Sequence, residues 1–79
     1  MTDSEKKRIV KKHRLNAAAI LRMQGYDSYV DEKTMNICVV GRKQPTMQEY
    51  DKAVYLAYLF VRDDEKDYGN KIELLDLTW

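Results

Sequence analysis

A single cysteine, Cys38, leaves this 79-residue chain no partner for an internal disulfide, and a reducing cytoplasm is the expected setting. A single histidine, His13, with no Cys-x-x-Cys pair, provides no recognisable metal-ligand set and no nucleophile–base pattern. Three scattered glycines and one proline exclude a glycine-rich phosphate loop and a dinucleotide fingerprint. No apolar run approaches the roughly 20 residues that cross a bilayer, so no membrane association is expected. The N-terminus is basic, but no apolar segment follows it in the manner of a signal peptide. These absences point away from an enzyme and from any bound cofactor or metal.

Apolar residues make up 44% of the chain and charged residues 34%, a balance that fits a single globular domain over residues 1–79. The net charge of +1 conceals a segregation. Residues 1–14 carry six cations against Asp3 and Glu5, whereas residues 45–79 carry eight carboxylates against four cations. Such a pattern bears on partners rather than on fold.

The first segment reads as a helix. Thr2 and Glu5 have capping-box spacing, and Gly25 is a fitting stop because it enters the left-handed region readily. Ile9, Val10, Ala17, Ile20 and Leu21 cluster on one side with His13 among them, which assigns the histidine a structural role. Residues 25–40, GYDSYVDEKTMNICVV, alternate as a hairpin does. A tight turn centred on Glu32 and Lys33 pairs Val30 with Met35, Ser28 with Ile37 and Tyr26 with Val39, forming an inward face. Asp27, Tyr29, Asn36, Cys38 and Val40 form the outward one. Thr46 and Glu49 form a second capping box ahead of a helix from Met47 to about Arg62, whose Tyr50, Ala53, Val54, Ala57, Tyr58 and Val61 follow helical spacing. Residues 71–79, KIELLDLTW, read as a strand. The fold class expected is therefore α+β: a small two-layer α-β-β-α-β sandwich, with two helices on one face of a three-stranded sheet.

Between Glu5 and Asp27 the chain contains no acid. Lys7, Lys11, Arg14 and Arg22 are spaced as one row on the side opposite Ile9, Val10, Ala17 and Ile20. Ala18 fills the gap in that row, and Arg8 and Lys12 flank it. The row would extend about 22 Å and suits a phosphate backbone or an anionic protein surface. An ordinary solvated helix mixes both signs. Arg42 and Lys43 precede the anion-favouring end of the second helix and would extend the patch if they lay on the same edge. The acidic stretch Asp63, Asp64, Glu65 and Asp67 is expected to lie away from Lys7 and Arg14. Its alternation is not that of a calcium loop: Gly69 is displaced, and Leu74 stands where the bidentate glutamate belongs.

The second helix is apolar almost all round near its end, with Tyr55 and Leu59 on its otherwise polar side. Together with Tyr29, Cys38 and Val40 on the outer sheet face, they mark a surface for a protein partner or a homodimer. The reading that follows is a small accessory or regulatory protein, of a kind bacteriophages and mobile elements encode. It would bind RNA, DNA or a nucleoprotein complex through the basic helix. The alternative is a protein–protein inhibitor or adaptor acting through the second helix or the open sheet face.

Overall fold

The computed structural model describes residues 2–64, an α+β arrangement of two helices and a two-stranded antiparallel sheet. The order is α1 (Asp3–Met23), β1 (Asp27–Val30), β2 (Ile37–Val40) and α2 (Met47–Asp64). The third strand expected over 71–79 lies outside these residues, so a three-stranded sheet and a two-layer sandwich are not part of the described structure.

Both capping boxes form. Thr2 Oγ1 accepts the Glu5 amide at 3.2 Å while the Glu5 carboxylate accepts the Thr2 amide at 3.3 Å, and Thr46 and Glu49 repeat the exchange at 3.2 Å in each direction. Each box satisfies amides that a helix start leaves without intrahelical partners. At the other end of α1, Gly25 takes φ +95°. Its amide donates to Arg22 O, and the amide of Tyr26 donates to Leu21 O. This is the Schellman arrangement, and the side chains of Tyr26 and Leu21 supply its usual apolar contact.

The hairpin keeps its expected faces but not its expected register. Ser28 stands opposite Val39 and Val30 opposite Ile37, two residues along from a pairing built on a tight Glu32–Lys33 turn. A longer loop is the cause. The Asp31 carboxylate accepts the amides of Lys33 and Thr34 at 2.8 and 3.3 Å. The Met35 amide donates to Asp31 O, with Met35 itself at φ +65°. Four residues thus bridge Asp31 and Asn36, an ordinary hairpin connection once one residue enters the left-handed region. A shift of two leaves side-chain parity unchanged. Ser28 and Tyr26 are buried, while Tyr29 and Val40 face out.

Helix α1 packs against both α2 and the hairpin. One apolar cluster joins Ile9 to Val61, with Val10 and Tyr58 beside them. A second gathers Leu21, Tyr26 and Ala53, with Ile20, Ile37, Val39 and Tyr50 against it. The helices therefore run antiparallel. His13, fully buried, donates from Nε2 to Val54 O of α2 at 2.9 Å. Since a carbonyl only accepts, the proton of the neutral ring is on Nε2, and Nδ1 accepts from Arg14 Nη1 at 3.2 Å. Buried Ala53 and Ala57 flank Val54 on α2, small enough for the imidazole to reach a main-chain atom.

Burial holds the His13 pKa below its ordinary value. The Val54 hydrogen bond opposes this, and the Arg14 charge reinforces it. Between the ordinary value, about 6.5, and the lowered one, the unfolded chain binds a proton that the folded chain does not. Stability is therefore retained above that window and falls as pH drops through it, with a slope of at most about 1.4 kcal/mol per pH unit. Thermal melts from pH 7.5 to 5.5 should show a falling midpoint, and His13→Leu should flatten the dependence in this range.

Candidate nucleic-acid interface

The turn at Gly25 sends the hairpin back along α1. Extended backbone runs over Asp27–Val30, and the loop beyond it arrives beside the basic first turns of α1. Lys7, Arg8 and Lys11 line one wall of an open groove of about 560 Å³, and Glu32, Lys33 and Met35 line the other. An adjoining groove continues past Lys6, Lys7 and Val10 to the same Met35. Lys7 and Met35 thus line both grooves, and Asp3 belongs to the lining of the second. In the larger groove four cations face one carboxylate, a local excess of positive charge that attracts phosphate.

Other members of the expected basic row serve elsewhere. Ala18, which shares their side of α1, is fully buried, so this side is not an open solvated stripe along its whole length. Arg22 donates from Nη1 to Ser28 O of β1 at 2.9 Å and fastens helix to strand. Arg14 is half-buried against the His13 ring. The open part of the row shrinks from about 22 Å to the stretch from Ser4 to Lys11, about 10 Å, enough for about three phosphates of one strand. Lys12 pairs with Asp64 at 3.3 Å. The antiparallel helices bring Asp64, at the start of the acidic stretch, to Lys12 of α1, while Glu65 and Asp67 lie outside the described residues. That pair is too exposed to contribute much stability.

Arg42 and Lys43 lie at the opposite end of α1. Lys43 Nζ sits 5.0 Å from the centre of the Tyr26 ring, a cation–π contact, and close against Gly25. Tyr26 donates its hydroxyl to the Glu49 carboxylate at 2.5 Å. That bond, ahead of the bonds to Thr46, holds the Glu49 pKa below the usual carboxylate value and raises that of Tyr26. Lys43 thus closes the joint between the two helices, and Arg42 and Lys43 do not extend the groove at Lys7.

The residues expected to meet a protein are at the surface, on two separate faces. Tyr29 stands opposite Cys38 on the outside of the hairpin, and hydrogen bonding with that thiol raises its hydroxyl pKa. Val40 is exposed at the strand end. Tyr55 and Leu59 are exposed on α2, and Phe60, missed by the helical-spacing argument, is exposed beside them. Lys33 is the addition on the basic side. No local signal marks it, because its place depends on the reversal at Gly25 and on the loop that follows Asp31.

Among the described residues no group of three or more His, Cys, Asp or Glu is placed to hold a metal ion, and no helix is long and apolar enough to cross a membrane. Comparison with family models, with curated proteins and with solved structures yields no match.

Burial of Ala18 separates the two arrangements of α1. On an open basic face Ala18→Leu is nearly neutral. At a fully buried position the added volume should cost about 1–3 kcal/mol, read as a lowered denaturant midpoint with helical circular dichroism retained at zero denaturant.

Proposed function

We propose that the protein is a small non-enzymatic accessory or regulatory factor that binds nucleic acid, RNA or DNA, through the groove between the first turns of α1 and the hairpin loop. The observation that carries this reading is the convergence of Lys7, Arg8 and Lys11 with Lys33, distant in sequence, on one groove that holds a single acid. Phosphate contacts of this kind position a protein on a backbone without reading bases. With about three phosphates engaged, affinity is modest and log K falls with log salt at a slope of about 2–3. A nucleoprotein complex, in which a second component adds contacts, suits so short a footprint.

A second reading rests on Tyr29 and Val40, about half exposed on the outer hairpin face. They favour an adaptor or inhibitor that docks a protein partner there, without nucleic-acid contact.

Lys7→Glu, Lys11→Glu and Lys33→Glu together should abolish retardation of short RNA and DNA in gel-shift titrations at low salt. Arg42→Glu, at the other end of α1, should leave it within about twofold. Wild-type protein that retards neither nucleic acid overturns the proposal, as does a triple variant that still binds.

A further inference from the structure

The outward side of α2 carries an apolar seam with a charge of opposite sign at each end. Lys52, Leu56, Leu59 and Asp63 step by four, three and four residues, the spacing of a coiled-coil seam. Tyr55 and Phe60 flank its centre, 59% and 57% exposed, and Leu59 is 38% exposed. The buried residues Ala53, Val54, Ala57 and Val61 take the other side of the helix, toward α1. The Tyr55 ring is steadied by stacking on Tyr58, 6.4 Å between centres.

This seam is complementary to itself when reversed. Placing a twofold axis between residues 57 and 58 sets Leu56 against the partner's Leu59, with Tyr55 beside the partner's Tyr55 on one flank and Phe60 beside the partner's Phe60 on the other. It also sets Lys52 against the partner's Asp63, and the symmetry makes the leucine and the lysine–aspartate contacts twice. A parallel arrangement would put lysine beside lysine and aspartate beside aspartate. We propose that α2 pairs antiparallel with α2 of a second copy of this chain in that register. One short helix face per subunit places the interface at the low end of the size range, below about 1,200 Å² in total, so the dimer is weak and concentration-dependent. The inference is independent of the nucleic-acid reading, because Lys7, Arg8, Lys11 and Lys33 take no part in the seam.

Sedimentation equilibrium over a concentration series into the high micromolar range tests it. Wild type should show a reversible monomer–dimer equilibrium. Lys52→Glu should weaken it about tenfold, because two end pairs turn repulsive, and so should Asp63→Lys. The double variant Lys52→Glu with Asp63→Lys should restore association to within about threefold of wild type. An equimolar mixture of the two single variants should associate better than either alone. A strict monomer overturns the proposal. So does a dimer indifferent to both single changes, or one lost in Tyr29→Glu, which would place the contact on the hairpin.

Discussion

The reversal at Gly25 is the constraint on which the rest of the described structure depends. A positive φ there lets the amides of Gly25 and Tyr26 return to the last carbonyls of α1. Tyr26 then turns inward onto Leu21 instead of continuing outward. Once Tyr26 is buried, the hairpin has one direction open to it, back along the helix. The Arg22 bond to Ser28 O holds it to that course, and Lys43 over Tyr26 brings the start of α2 to the same joint. One residue's freedom of conformation therefore sets the position of the sheet, the approach of the second helix and the place where Lys33 meets Lys7 and Lys11.

The packing that results is economical in large side chains. Ala17, Ala18, Ala53 and Ala57 are all fully buried, so the elements approach closely and dispersion is gained over many short contacts. The largest buried polar side chain among the described residues, His13, is tied to a main-chain atom of α2. A buried imidazole with that bond fixes the sliding register of α1 on α2, since a helix displaced by one residue loses its acceptor and leaves a buried donor unsatisfied. The antiparallel register has an electrostatic consequence as well: it brings Asp64 to Lys12 and leaves the cationic excess to residues nearer the hairpin loop.

Local signals in the sequence carried much of this fold. Thr2 with Glu5, Thr46 with Glu49, and Gly25 marked helix ends by chemistry that acts over a few residues, and each operates as its spacing implies. Alternation in the hairpin assigned the faces of Ser28 and Tyr29. The register escaped because no Asn-Gly or Asp-Gly pair announced a turn, and the left-handed residue is Met35, which has no strong preference for that region. The division of the basic row, with Arg22 bonded to Ser28 O and Lys7 and Lys11 at the groove, escaped for a related reason. A hydrophobic wheel presumes one buried side, whereas Ala18, opposite Ile9 on that wheel, is fully buried as well, and an alanine looks the same in a solvated stripe as in a packed one. Arg22 and Lys43 read as surface cations, yet one bonds a strand carbonyl and the other covers an aromatic ring. Those roles depend on neighbours distant in the chain.

Everything at the groove rests on the hairpin loop lying beside the first turns of α1. A nitroxide attached at Glu32→Cys, in a Cys38→Ser background, reports this directly through paramagnetic broadening of backbone amide resonances. Strong broadening is expected across residues 4–11 and little at residues 42–46, with the reduced label restoring all signals. Broadening confined to the hairpin, with the amides of Lys7 and Lys11 untouched, would contradict that placement.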